Sequence, residues 1–394
     1  MTETSRPTSV DLIDALVPLS TDGRVHAVRH RRDKVVSALQ GSYDAIFDVE
    51  LAGPSLAERL LAAHLIARLA GSKPLQAHYR ERLLALHGLT AAERTSIDAE
   101  PLASGGAPRR LAAILHFTQT LTEHPVEGDR AALLELPDAG LDIPEVIALA
   151  QLIAFVACQL RVVAGVQALA ELGYDVEPSV AAMSVEPAPA PFVHPADLPK
   201  PGQPVRINGY TSETLGWKAW LPVVDLQLAT PAQMAVLDSS HPKAKTSDYY
   251  RVLVHQPRIL DQRSIAFNAI MYAPGGLSRA ERELASAVVS RVNGCVYCAS
   301  VHAQRFEQLT KRNDVICQVF AEPRGAGTNA RERAIVQMSI DLTQAPSRFG
   351  ARQLEAARDA GLTPLDMLDA IHAIAIFGWA NRLMLNLGEP VHPD

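Results

Sequence analysis

The stretch Ala57-Glu58-Arg59-Leu60-Leu61-Ala62 recurs as Ala280-Glu281-Arg282-Glu283-Leu284-Ala285. The match runs on without a gap to Arg68-Leu69-Ala70-Gly71-Ser72 over Arg291-Val292-Asn293-Gly294-Cys295. From Ala57 to Leu83, eight of 27 positions are identical to those from Ala280 to Phe306. Further along, residues 114–125 match 335–346, sharing Leu121-Thr122 with Leu342-Thr343 and the closing proline, and Asp138-Ala139-Gly140-Leu141 returns as Asp359-Ala360-Gly361-Leu362. Ordered self-similarity of this kind marks a tandem duplication. Helical periodicity covers 56–86, 109–121 and 144–172 in the first copy, and 278–292, 298–310, 330–342 and 364–387 in the second, with 231–237 between them. No train of alternating strands interrupts it, so the expected fold class is all-α, built from two copies of one helical domain.

A chain of 394 residues is long enough for two cores, and 48% apolar with 20% charged residues suits a globular protein. Pro178, Pro187, Pro189, Pro191, Pro195, Pro199, Pro201 and Pro204 crowd one segment, which reads as an extended linker. The expected organisation is a degenerate copy at 1–176, a Pro-rich linker at 177–210 and a chemically equipped copy at 211–394. No run of eighteen uncharged apolar residues occurs and the N-terminus lacks a signal-peptide layout, so no membrane association and a cytoplasmic location are expected. The net charge is −6 with mixed signs, and the one basic cluster, Arg29-His30-Arg31-Arg32, reads as a solvated face. No nucleic-acid partner is expected.

Of the four cysteines, Cys158 and Cys317 lie in apolar runs and read as small buried hydrophobes, whereas Cys295 and Cys298 form a C-x-x-C. In the repeat alignment Cys295 faces Ser72, Cys298 faces Leu75, His302 faces Tyr79 and Glu283 faces Leu60. The apolar and turn positions between them persist in the first copy while all four chemical residues are missing. A set that disappears together is better explained as one site than as four unrelated core residues.

Ser278 with Glu281 starts a helix that runs to about Val292, and Asn293-Gly294 interrupts it, placing Cys295 at a new helical turn or a kink. A thiol at a helix N-terminus feels the positive end of the dipole, which is expected to lower its pKa. Cys295, Cys298 and His302 are spaced i, i+3 and i+7, along one stripe, and Glu283 lies on the preceding helix where packing would bring it to His302 or Cys295. A peroxide-reducing thiol needs one thiolate to attack the O–O bond and a second thiol to condense with the sulfenic acid. Two cysteines with a local imidazole base meet both needs.

Glu283, then Asn293-Gly294-Cys295-Val296-Tyr297-Cys298 with Ala299-Ser300-Val301-His302, resembles the active-site signature of alkylhydroperoxidase D-like proteins within the carboxymuconolactone decarboxylase superfamily, nearest its peroxidase-related members. The resemblance extends over about residues 246–387 and weakly over the first copy. It implies an all-helical fold, homo-oligomers, and reduction of organic hydroperoxides through a Cys295–Cys298 disulfide cycle with a dithiol, lipoyl or thioredoxin-type reductant. By matching positions Cys298 would be the peroxidatic cysteine, Cys295 the resolving one, and Glu283 with His302 the proton relay. Some members carry a histidine where this chain has Tyr297.

Neither a metal nor an organic cofactor is expected: zinc would want a fourth ligand beyond Cys295, Cys298 and His302, and no suitable second pair follows. His64, His78, His255 and His372 are scattered and receive no role, Trp217 and Trp220 read as packing anchors, and Phe377 and Trp379 read as core in preference to the apolar wall of a hydroperoxide pocket. Two alternative readings remain open. One is a lactone decarboxylase or isomerase that does not use the thiols; the other is a redox sensor or scaffold that does not turn over.

Overall fold

The computed structural model describes residues 11–98, 107–173 and 197–393. The first repeat is built from α1 (Asp33–Ile46), α2 (Leu56–Leu69), α3 (Lys73–Leu84), α4 (Ala91–Asp98), α5 (Arg109–Glu123), α6 (Arg130–Asp138) and α7 (Ile143–Glu171). The second comprises α8 (Pro257–Met271), α9 (Arg279–Val292), α10 (Val296–Thr310), α11 (Asp314–Ala321), α12 (Ala330–Gln344), α13 (Ala351–Asp359) and α14 (Pro364–Asn386). Short helices Leu12–Leu16 and Arg24–His30 precede the first set, and Pro231–Ser240 and Asp248–Leu253 precede the second. The protein is all-α, as the periodicity indicates.

The duplication extends to individual bonds. Ser55 caps α2 and Ser278 caps α9, each through a capping box with Glu58 or Glu281. The span read as one helix over 56–86 is two, parted at Gly71, and Gly294 parts α9 from α10 in the same way. These glycines sit at φ +69° and +78°, a conformation that costs a Cβ-bearing residue energy. The next residue is in each case the N-cap of the following helix, Ser72 at φ −84°, ψ 95° and Cys295 at φ −83°, ψ 92°. Arg110 joins Glu58 on α2 to Glu145 on α7, and Arg331 joins Glu281 on α9 to Asp366 on α14. Both arginines also donate to the carbonyl of the glycine that ends the preceding turn, Gly140 or Gly361.

The halves meet through α7 and α14, which make the most extensive helix–helix contact in the molecule. Buried apolar side chains of both repeats form one continuous cluster, with a second, smaller cluster around α9, α10 and α11. α7 has an eighteen-residue window of mean hydropathy 2.1, long and apolar enough for a membrane span, yet that window is wholly buried in protein. The reason is visible at the contact: a Cβ added at Gly165 of α7 would stand 2.4 Å from a methyl of Ile371 on α14.

Three features differ from the sequence expectation. Arg29-His30-Arg31-Arg32 is not a solvated face: Arg29 is buried and paired with Asp11 and Asp14, and Arg32 reaches Asp369 on α14 with two 2.7 Å bonds. Basic side chains there offset buried carboxylates, which local composition cannot reveal. Two small antiparallel ribbons escape the alternation test because they are only two to four residues long: β1 (Arg206–Ile207) with β2 (Tyr210–Thr211), and β3 (Gly216–Ala219) with β4 (Gly388–Val391). Of the expected linker, residues 177–196 lie outside the described residues, while Gly202 N–H donates to Glu307 at 2.8 Å and Val205 is buried in the smaller cluster.

Gly165→Ala gives a contest of signs. In a free helix interior alanine gains about 1 kcal/mol over glycine, but here the added methyl collides with Ile371, and overpacking costs about 1–3 kcal/mol. The variant is expected to be less stable in chemical denaturation; a raised midpoint would show that α7 and α14 separate easily.

Candidate functional site

Gly294 turns the chain so that Cys295 begins α10, its N–H bonded to Ser290 O at 2.8 Å. Cys298 follows within the first turn and His302 one turn later, on the same helix, while Glu283 projects from α9. All four side chains are buried. His302 Nδ1 lies 2.5 Å from Glu283 Oε2, and the other carboxylate oxygen stands 3.8 Å from Arg279 Nε. Of the two destinations open to Glu283, the structure selects His302. The imidazole ring is further fixed edge-on to Phe377, ring centres 4.3 Å apart. Phe377 and Trp379 both lie in the core, as expected; Phe377 also walls the histidine, while Trp379 packs on Phe155 with its Nε1–H donating to Gln151.

The two thiols are free and hydrogen-bond to each other. Burial pushes the Cys295 thiol well above its ordinary pKa, and the bond to Cys298 and the proximity of its sulfur add to the shift. The depression expected from the helix dipole therefore fails for Cys295. A helix terminus supplies about 0.3–1 kcal/mol when exposed, up to about 2 when partly buried, and desolvation of a fully buried anion outweighs that. Cys295 is a protonated thiol at neutral pH. Among the described residues the donor atoms of Asp14, His26 and His30 lie within 4.8 Å of one another, and Asp14 is already paired with Arg29.

Sequence reasoning missed the polar support of the turn. Asn381 on α14 donates to Ser290 Oγ at 3.0 Å, accepts from Asn293 Nδ2 at 3.0 Å and also contacts the Cys295 sulfur. In the first repeat the corresponding residues are Leu160, Ala67 and Ala70, so this network is missing there together with the thiols. The alignment that exposed the four residues would have exposed these three as well. Tyr249 was also missed: its ring stacks edge-on against Trp217, Arg263 lies over it, and its buried hydroxyl, close enough to feel both thiols, has no hydrogen-bond partner among the described residues. Tyr297 and Tyr272 border the site as neutral phenols, each pushed up to about 12 chiefly by burial, with the nearby Cys298 sulfur and Glu283 carboxylate respectively adding to it.

The span from α8 into α12, residues 257–340, matches the family model of the carboxymuconolactone decarboxylase family. The matched span lies wholly within the second repeat. Two solved structures are similar to part of the chain. One is an uncharacterized peroxidase-related protein with an alkylhydroperoxidase core from Ralstonia eutropha, 26% identical over 42% of this chain and 87% of that one, TM-score 0.38. The other is an uncharacterized peroxidase-related protein from a Silicibacter species, 24% identical over 42% and 89%, TM-score 0.35. No curated protein shows significant similarity to the chain.

The raised Cys295 pKa has a direct readout. In Cys298→Ser, alkylation of Cys295 should be slow at neutral pH and its rate should still be climbing above pH 8.5, about where an unperturbed thiol is half ionised. A titration midpoint below that value, followed by mass spectrometry, would contradict the burial argument.

Proposed function

We propose that the carboxymuconolactone decarboxylase-superfamily repeat of this chain is a thiol peroxidase that reduces organic hydroperoxides. The observation that carries this reading is the division of labour around α10: Cys295 is buried, protonated and bonded to Cys298, while a buried Glu283–His302 pair stands one turn further along the same helix. Such an arrangement supplies an attacking sulfur, a waiting thiol and a proton-transfer pair, which are the three parts a two-cysteine peroxidase needs.

In the proposed cycle the Cys298 thiolate attacks the distal oxygen of ROOH. The O–O bond breaks, ROH leaves with a proton delivered by the His302–Glu283 pair, and Cys298 becomes a sulfenic acid. The Cys295 sulfur then displaces hydroxide from that sulfenic acid, its own proton completes a water molecule, and the Cys295–Cys298 disulfide forms. An external dithiol, of lipoyl or thioredoxin type, returns both thiols by exchange. With its Nδ1 bonded to Glu283, His302 leaves Nε2 without a hydrogen bond among the described residues, free to exchange a proton with the reacting groups. Phe377, Tyr249 and Tyr297 give the surroundings an apolar character suited to an organic hydroperoxide rather than a charged one.

Peroxide consumption with a dithiol reductant tests the cycle. Cys298→Ser should show no turnover above background, and Cys295→Ser should consume about one peroxide per site and stop. Glu283→Gln should slow turnover by about 10²–10⁴, the usual contribution of acid–base catalysis. Full peroxide turnover in Cys298→Ser would sink the reading.

A further inference from the structure

Where the repeats meet, a cavity of about 920 Å³ opens between the ends of α5 and α12, bounded by α7, α14 and the Asn293–Gly294 turn. Its lining is rich in positive charge: Arg161, Arg291, Arg348 and Arg382, against one acid, Glu123. Arg161 and Arg382 occupy equivalent positions in the two copies and are both more than nine-tenths buried, at 4% and 5% exposure. Their contacts are exchanged as a two-fold relation requires. Arg161 of α7 donates to its own helix at Ala157 O and across to Thr343 O at 2.7 Å, while Arg382 of α14 donates to Gly378 O and across to Leu121 O and Thr122 O.

Those bonds give the arginines one structural duty, since the carbonyls they reach lie in the last turns of α5 and α12. A helix C-terminus carries about half a negative charge. Two such ends offset about one of the two buried positive charges, and among the described residues no carboxylate pairs with either arginine. Buried unpaired charge is among the costliest features a fold can keep. Burial pushes Arg161 down to about 10 and Arg382 down to about 9, the latter also repelled by Arg161, so both remain cationic at neutral pH. Arg161 Nε and Thr343 Oγ1, on two of the residues that line the cavity, are themselves covered by protein and have no hydrogen-bond partner among the described residues.

We propose that this cavity at the repeat interface is a binding site for a small oxyanion-bearing ligand, carboxylate or phosphate, held by Arg161 and Arg382 with Thr343 and Arg348. The volume lies within the range of small-molecule sites, about 300–1,000 Å³. Arginine forks match oxyanions in pairs, and four arginines against one acid give the cavity the charge such a ligand needs. The site is separate from the thiol pair and stands whether or not that pair is a peroxidase. It is nevertheless joined to it: Asn293 lines the cavity and bonds to Asn381, which contacts the Cys295 sulfur.

Titration of the full chain with inorganic phosphate, pyrophosphate and succinate, at ionic strength matched with sodium chloride, tests the site by calorimetry and by melting temperature. Saturable binding of at least one anion with a raised melting temperature is expected, and the preferred anion tells phosphate from carboxylate. Arg161→Met should weaken that binding by about tenfold or more, the loss of a charge-assisted bond. Its own melting temperature without anion should be unchanged or higher, because an uncompensated buried charge has gone. Arg348→Ala, at an exposed rim position, should weaken binding without disturbing the fold and serves if the buried variant does not fold. Absence of saturable binding by all three anions, or equal affinity in wild type and Arg348→Ala together with Arg161→Met, would overturn the proposal.

Discussion

The contact between α7 and α14 is the constraint on which the rest of the molecule depends. Each helix is buried around nearly its whole circumference, its few polar residues included, and so has no face to give to solvent. Either one alone would need a layer of protein on every side. Paired, each supplies the layer the other lacks, and α2 and α5 on one side, α9 and α12 on the other, close the remaining faces. This explains why the buried side chains of both repeats merge into one cluster rather than two. The duplication supplied a second copy of an apolar helix, and the fold hides both by setting them against each other.

The same pairing governs the polar groups that reach the centre. Asp369 on α14 gathers Arg32 from the first repeat and Arg282 from the second, so one buried carboxylate is held by two guanidiniums. An isolated carboxylate at that depth would be prohibitive, and two donors with fixed geometry make its ionised form tolerable. Arg161 and Arg382 solve a related problem with backbone carbonyls instead of a carboxylate, and for that reason leave positive charge unspent in the interface.

Helix identity, the duplication and the four chemical positions were legible because each is a property of local pattern or of the chain compared with itself. Ser55 and Ser278 announce their helices, and Leu60 against Glu283 announces a difference. What the sequence could not convey are pairings between residues far apart in the chain. Nothing near Arg32 points to Asp369, and nothing near Asn293 points to Asn381. The dipole argument for Cys295 failed for a similar reason. The N-cap position was readable from Asn293-Gly294, but the burial that overrides the dipole is a tertiary effect, and Asn381, which contacts the sulfur, sits on α14, far along the chain.

The comparison of the two turns separates scaffold from chemistry. Ser72 and Cys295 share a backbone conformation to within a few degrees, so the bend that presents Cys295 does not itself depend on a thiol being there. What differs is what surrounds the bend. In the first repeat Ala67, Ala70 and Leu160 leave it apolar, and Tyr79 fills the histidine position, donating to Gln159 as an ordinary satisfied core phenol. In the second, Ser290, Asn293 and Asn381 replace those three apolar residues and hold the cysteine end of the turn by hydrogen bonds. A buried amide network of that kind costs desolvation wherever it is incomplete. Its presence beside the thiols, and its replacement by alanine and leucine where the thiols are missing, ties it to Cys295 rather than to the stability of the fold.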